Sequence, residues 1–450
     1  MHRFRFVSGM LLMLGFCVLF PEVKAQDAWG LKQCIQYGLE HHKTTEIYKG
    51  NIEKAKQMTR ENVALYLPQI SGNLRIDDYL DLPTQVLSAG SLGQIVLPND
   101  VEFQFGKKFT TVGSLEAEQM LYNRLLLVSM RGLKPNMEVA NLNLQQNQES
   151  LIYNIAQAYL QAHILKQQIG LLSENKKKFA KLMDITRLQV DKGVAKKLDA
   201  DRISVAFNNI QSQLDVAESG YEVSVNRLKN SIGMELTDTL LLQDSVDVSL
   251  LKFAPQEAFD VNSKTELRLQ QNNIRLLEVQ KKRAGAGYFP TLSFFARYSV
   301  QAYNNDFVSA FRTWYDFSSF GLKLDVPIFD GMQKGAQRRQ AMINMKNAEL
   351  NLELSKQAFD LQYQNANLQL SRAHANMENN LSNVNMAKEV FDNISLMYQQ
   401  GVISLSEFLN SETAYKEAQL NYITAMLNYY TAVLDLEKAK GTLNSFYQNL

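Results

Sequence analysis

Apolar residues recur at alternating steps of four and three along two long stretches of the chain. In the first stretch these positions are Leu151, Ile155, Ala158, Ala162, Leu165 and Ile169. Adding 208 to each number gives Phe359, Tyr363, Ala366, Leu370, Ala373 and Met377. A mean spacing of about 3.5 residues is typical of helices that pack in a left-handed coiled coil. The pattern therefore predicts two long helices that are copies of one repeated unit.

Each predicted long helix ends at a glycine-valine turn. Gly193 and Val194 follow the first helix, and Gly401 and Val402 follow the second, again at an offset of 208. After each turn apolar positions resume at helical spacing, which predicts a second helix that returns antiparallel to the first. We predict long helices at 123–191 and 331–399, and returning helices at 195–232 and 403–447. Each long helix would measure about 100 Å if unbroken, which excludes a compact globular core.

Four shorter stretches alternate between apolar and polar residues with a period of two, which predicts β-strands. The predicted strands lie at about 69–80, 106–119, 291–303 and 316–328. In an ordinary sheet such alternation separates a core face from a water face; in a transmembrane barrel it separates a lipid face from a wet lumen. The sequence offers no neighbouring element that would cover the apolar face, and this favours the barrel.

Two connections between these strands differ in composition. Residues 80–108 are rich in Gly, Pro, Ser and Asn, which predicts a loop. The connection between the last two strands is crowded with aromatic residues: Phe307, Phe311, Trp314, Tyr315, Phe317 and Phe320. Aromatic side chains gather at membrane interfaces, but a packed aromatic core produces the same composition.

The first 25 residues have the composition of a secretory signal peptide. Arg3 and Arg5 precede an apolar run at 7–20, and small or apolar residues precede the predicted cleavage after Ala25. A retained membrane helix is the alternative, which the short run and Pro21 disfavour. Cleavage would leave Cys34 as the sole cysteine, so that no intrachain disulfide would form.

Composition and motifs exclude several functional classes. The formal net charge is +1, and basic and acidic residues are interspersed, so no nucleic-acid surface is predicted. The chain has no phosphate-binding glycine loop, nucleophile motif or paired cysteine motif. The histidines lack cysteines or carboxylates at ligand spacing, which predicts surface or packing roles. We therefore expect no enzymatic activity, no cofactor and no metal ion.

In the order of these features the chain resembles the TolC family of outer-membrane efflux channels. The resemblance is carried by the two repeats, the glycine-valine turns, Tyr66-Leu67-Pro68 and Tyr288-Phe289-Pro290 before a strand, and the Val-Pro-Ile-Phe-Asp-Gly passage at 326–331. The first-copy counterpart of that passage, at 118–123, is weaker. Membership of this family implies a fold, an assembly, a set of partners and roles for particular residues.

The fold implied by the resemblance is an α+β membrane protein that forms a homotrimer. Each chain would give four strands to a trimeric 12-stranded β-barrel and its long antiparallel helices to a periplasmic α-helical tunnel. The two structural repeats would span 26–233 and 263–450, after a signal peptide at 1–25. An equatorial connector at 234–262 would join them.

The resemblance also implies that the helix tips form the periplasmic entrance and the docking surface for an adaptor protein. This places Gly193, Val194, Gly401 and Val402 at the tips. Family entrances carry acidic side chains six and nine positions after the second turn glycine. Here those positions are Glu407 and Asn410, of which the second departs from the pattern. A basic residue that latches some family entrances is replaced by Ile403.

The acidic residues after the turns have two possible roles. Threefold symmetry would place three copies of Glu407 around one axis, where their field would act on passing cations. Alternatively, Glu407 and its first-copy counterpart Asp199 favour the first turn of a helix, whose dipole attracts acids. Both interpretations remain open at this point.

Family members are exit ducts that dock to a periplasmic adaptor and an inner-membrane pump of the RND or ABC type. The resemblance implies an efflux or type I secretion channel that carries small molecules or proteins to the exterior. It would sit in outer-membrane lipid, with helices extending into the periplasm. The alternative function is a periplasmic coiled-coil adaptor or structural protein, but the chain lacks the Gly- and Val-rich lipoyl-like modules of an adaptor.

Overall fold

The computed structural model describes residues 28–92, 95–97, 99–243 and 259–450. The predicted signal peptide at 1–25 lies outside the described residues. So does the larger part of the connector that the sequence predicts at 234–262.

Helices dominate the described chain and repeat in two sets. They are α1 (Leu31–His41), α2 (Lys43–Ala64), α3 (Arg124–Met130), α4 (Leu133–Asp191), α5 (Lys197–Ile232), α6 (Thr265–Ala286), α7 (Gln333–Gln399), α8 (Leu405–Lys440) and α9 (Leu443–Asn449). The long helices α4 and α7 have 59 and 67 residues, or about 90 and 100 Å at 1.5 Å per residue. Each packs along its returning partner, α5 or α8. None of the described helices has a stretch apolar and long enough to cross a membrane.

One four-stranded antiparallel sheet joins the two repeats. Its strands lie in the order β1 (Gln69–Asp78), β6 (Phe109–Asn123), β7 (Thr291–Asn304) and β8 (Tyr315–Asp325). These are the four strands that the alternation predicts, and the mixed helix-and-sheet fold class is confirmed. The predicted loop at 80–108 is partly wrong, because it contains two small ribbons. They pair β2 (Thr84–Leu87) with β5 (Val101–Gln104) and β3 (Gly90–Leu92) with β4 (Ile95–Leu97).

The strand register places most of the apolar residues of the four strands on one face, although Val112, Phe295 and Phe317 lie on the other. Leu74 of β1 lies opposite Gly113 of β6, which lies opposite Val300 of β7. This face is open in the single chain, since Leu74 is 68% exposed and Phe320 is 81% exposed. On the other face Glu116 and Arg297 form an ion pair at 2.8 Å. The sheet therefore has a charged face and an apolar face, of which the described residues cover the end at Thr111 and Ala302 and leave the middle open.

Two helices depart from the bounds that the sequence predicts. The long helix expected at 123–191 is interrupted between α3 and α4, where tight bonds join Arg131 N to Val128 O and Gly132 N to Ser129 O. The returning helix expected at 403–447 stops at Lys440. There Gly441 adopts φ +76° and the Thr442 N–H donates to Glu437 O, which closes the helix end.

The buried core of the described residues has a large part, a smaller part, and a third cluster of Leu172, Leu214 and Ala217 between α4 and α5. The large part lies where α1, α4, α5 and α8 meet, and its fully buried side chains include Ile155, Tyr159 and Ile232. The small part lies towards the ends of the hairpins and joins α4 and α5 to α7 and α8. The two hairpins thus pack against each other close to their turns.

Candidate functional site

Two helical turns form the tips of the hairpins, and both close by the same backbone bonds. Gly193 has φ +72° and Gly401 has φ +74°, a region that residues with a Cβ rarely adopt. The next residues donate back into the preceding helix, Val194 to Gln189 O at 2.8 Å and Val402 to Met397 O at 3.0 Å. Glycine is therefore required at both turns, and the 208-residue offset is a repeat in backbone conformation as well as in sequence.

The valines of the two turns are left uncovered by the rest of the chain. Val194 is 78% exposed and Val402 is 64% exposed. Each stands at the end of its hairpin next to a glycine whose Cβ position meets open space. The tips thus present apolar side chains that no described residue covers.

An aromatic cluster lies directly behind the turns and holds the two hairpins together. Phe391 of α7 packs against Phe408 and Tyr415 of α8, at ring-centroid distances of 5.7 and 5.5 Å. Phe408 also contacts Phe179 of α4. Because these rings come from both repeats, the relative position of the tips is fixed by packing.

Asp199 lies in the first turn of α5, where it is half-buried beside Tyr398 of α7. Burial raises the pKa of Tyr398, a hydrogen bond with Thr186 of α4 lowers it, and the negative charge of Asp199 raises it. The structure thus brings together side chains of three helices at the tip. The sequence reasoning missed Tyr398, although an aromatic residue replaces its first-copy counterpart Val190.

Glu407 and Asn410 are both exposed on the first turns of α8. The cap of this helix is Ser404, whose Oγ accepts the N–H of Glu407 at 3.3 Å. The side chain of Glu407 is therefore not needed as the cap, although its charge still favours the helix N-terminus. Its role at an entrance stays a prediction.

Glu412 is a buried carboxylate just beyond these residues on α8. It is 8% exposed, and its Oε1 has no hydrogen-bond partner among the described residues. Burial raises the pKa of Glu412, and the nearby Lys416 lowers it. No sequence pattern singled out this residue, because a lone Glu at helical spacing is most often exposed.

Sequence similarity to known proteins covers part of the chain. Residues 262–442 match the model of the family described as outer membrane efflux protein. The alkaline protease secretion protein AprF of Pseudomonas aeruginosa is 22% identical over 46% of this chain and 44% of its own length. The proteases secretion protein PrtF of Dickeya chrysanthemi is 20% identical over 48% and 47%. The aligned part thus spans about half the length of these curated relatives.

The fold matches over nearly the whole chain. CusC, whose crystal structures concern transmembrane channel formation, superposes with a TM-score of 0.73 at 15% identity, covering 91% of this chain and 92% of CusC. The family match lies in the second repeat, and the structural match extends over both repeats. Residues 262–442 of this chain are thus similar to the outer membrane efflux protein family.

At the hairpin tips the candidate site is defined by backbone shape and by charge. Within the described ranges, no cluster of three or more His, Cys, Asp or Glu side chains is arranged to hold a metal ion. Cys34 is fully buried, and burial raises the pKa of its thiol to about 12. The chemistry of the candidate site therefore rests on the turns, Asp199, Tyr398 and the acidic start of α8.

Proposed function

We propose that the chain is the outer-membrane subunit of an exit duct that carries cargo from the periplasm to the exterior. The observation that supports this best is the open apolar face of the sheet at one end of helices about 100 Å long. An apolar strand face of this kind suits the hydrocarbon region of a bilayer. The long helices then reach away from the membrane into the periplasm.

The proposed assembly is a homotrimer with a shared 12-stranded barrel. Four strands are too few to close a barrel alone. Among the described strands, β1 and β8 each pair on one side only, which leaves two edges for neighbouring chains. Along α7, exposed apolar side chains recur at steps of seven or four, as a seam for an adjacent subunit requires. They include Ile343, Leu350, Leu354, Leu361 and Leu368.

The duct would work with two partners, a periplasmic adaptor that docks at the tips and an inner-membrane pump of the RND or ABC type. The relatives AprF and PrtF are named for the secretion of proteases. These names favour a protein cargo for this chain, whereas the family description as an efflux protein favours small molecules. In both cases the chain supplies the passage, and the pump selects the cargo.

Fractionation and conductance together test the proposed function. We expect the full-length protein to be recovered in the outer-membrane fraction and to need detergent for extraction. In planar bilayers it should produce discrete single-channel steps. Recovery as a detergent-independent periplasmic protein without conductance would instead support the alternative of a coiled-coil adaptor or structural protein.

Glu407 is expected to contribute to cation selectivity at the entrance. Three copies of its exposed carboxylate around one axis would concentrate negative potential at a constriction. Glu407→Gln should therefore lower cation selectivity and weaken block by divalent cations, measured on single channels at low salt. Asn410→Ala, one turn further along α8, is the matched control and should leave both properties unchanged. If Glu407→Gln leaves cation selectivity and divalent block unchanged, the carboxylate has no role at the entrance, and only its interaction with the helix dipole remains.

A further inference from the structure

The two tips have the same backbone conformation but differ in charge. Residues 174–202, which surround the α4–α5 turn, contain nine basic and five acidic residues. The equivalent stretch of the second repeat, 382–410, contains one basic and three acidic residues. The formal net charges are therefore +4 and −2. Much of this divergence lies in exposed residues, although Lys197 stands where the second repeat has the buried Leu405.

Three lysines bring this charge to the α4–α5 turn itself. Lys192, Lys196 and Lys197 are exposed, and 208 residues later the chain has Gln400, Ser404 and Leu405 instead. In the part of the chain that the structure describes, no carboxylate forms an ion pair with any of the three lysines. Exposed apolar side chains accompany them: Val194, between Lys192 and Lys196, is 78% exposed, and Leu188, four residues before Lys192, is 59% exposed. The tip thus combines unpaired positive charge with uncovered apolar surface.

Lys196 occupies a position where lysine is unfavourable for the helix. It is the N-cap of α5 and makes no side-chain capping bond, whereas its equivalent Ser404 accepts the N–H of Glu407. A lysine has no acceptor atom, and its charge opposes the positive end of the helix dipole. A residue that weakens its own helix without a local gain is expected where function requires it.

We propose that the α4–α5 tip is the electrostatic docking surface of the duct and binds an acidic surface of the periplasmic adaptor. Carboxylates of the adaptor would flank an apolar contact made to Val194 and Leu188. The α7–α8 tip would contribute apolar contact through Val402 and little charge. This inference rests on the proposed function, since it names the chemistry of the partner at the same tips.

A designed helical hairpin serves as the probe for this chemistry. Its turn would display leucine flanked by glutamates, and a second version would have glutamine in place of each glutamate. We expect the full-length protein in detergent to bind the glutamate hairpin more tightly than the glutamine hairpin, with an affinity that falls as salt rises. Combining Lys192→Gln, Lys196→Ser and Lys197→Gln should weaken binding of the glutamate hairpin by about tenfold.

The single substitution Lys196→Ser distinguishes an effect on docking from an effect on the stability of α5. The serine restores the cap that Ser404 provides in the other repeat, so hydrogen exchange at the start of α5 should slow while hairpin binding weakens. Lys346→Gln, at an exposed lysine on α7 away from the tips, and Gln400→Ala, at the other tip, should leave binding within about twofold.

Three outcomes would overturn the proposal. They are equal binding of the two hairpins, unchanged binding by the triple variant, or an equal loss with Gln400→Ala. Loss of binding to phosphatidylglycerol vesicles, with hairpin binding intact, would assign the lysines to a lipid surface instead. Outer-membrane recovery and conductance of the same variants report on the duct itself, so a failure of the proposed function would be seen separately.

Discussion

Leu74→Arg is expected to remove most of the protein from the outer membrane. Leu74 lies in the middle of β1, on the apolar face, and is 68% exposed in the single chain. On a lipid-facing strand an arginine near the middle of the bilayer costs about 2–4 kcal/mol. A homotrimer would incur this cost three times. Quantitative immunoblots of outer-membrane fractions, and equilibrium folding into phospholipid bilayers, measure the effect.

Asn73→Arg is the control for this substitution. Asn73 precedes Leu74 in the same strand but points to the opposite face, where it lies opposite Ser114. That face already holds Arg75, and the ion pair between Glu116 and Arg297, so another guanidinium would remain hydrated. Outer-membrane recovery of Asn73→Arg should be close to that of the unaltered protein. Equal losses for the two variants would contradict a lipid-facing role of the apolar face.

The long helices and the four sheet strands were predictable because their signals are local. A helical face or a strand face repeats every few residues, and here a second copy 208 residues later repeats the helical register. The strands β7 and β8 in particular follow the alternation of apolar and polar residues. Such local patterns could not predict the strand order, since β6 pairs with β7 across more than 150 intervening residues.

The contacts of the candidate site could not be predicted for the same reason. Asp199 was identified through its place after a glycine turn, but its neighbour Tyr398 comes from the other repeat. The break at Gly441 was missed because the apolar spacing continues past it into α9. The small ribbons β2–β5 were missed because turn-forming residues dominate that stretch. Sequence pattern predicts faces and turns, whereas pairs of distant side chains depend on packing.

Lys264 is an example of a residue whose contacts with distant parts of the chain are expected to stabilise the fold. It is 1% exposed, although lysine is seldom fully buried. Its Nζ donates to the backbone oxygens of Lys438 and Ala439 at 3.3 and 3.1 Å, in the last turn of α8. The same Nζ lies 4.4 Å from the centre of the Phe359 ring of α7. Burial lowers the pKa of Lys264, while the charges of Glu266 and Glu149 raise it.

Lys264 lies where the end of α8 meets the start of α6. A similar contact between a helix end and a helix start occurs in the first repeat, and we call each of these contacts a joint. Lys264 precedes α6 and lies against Gly441 at the end of α8, where an added Cβ would come within 3.5 Å of the Lys264 Cα. In the first repeat His42 precedes α2 and lies against Gly233 at the end of α5. Only the second joint places an ammonium group over the terminal carbonyls. Since a helix end leaves carbonyls without intrahelical partners, Lys264 supplies donors that the helix lacks.

Lys264→Ala is therefore expected to destabilise the joint by about 2–4 kcal/mol, because Ala439 O loses its donor and a cavity opens, while Lys438 O keeps the N–H of Gly441. Lys264→Met keeps the aliphatic packing and should cost less, about 1–3 kcal/mol, through the lost donors alone. Hydrogen exchange of the last turn of α8 and the first turn of α6 measures both effects locally. Lys346→Met, at an exposed lysine on α7, is the control and should leave exchange unchanged. If the amide hydrogens of Lys264→Met exchanged as slowly as those of the unaltered protein, the ammonium group would not stabilise the joint. The packing of the Lys264 methylenes would then be what stabilises it.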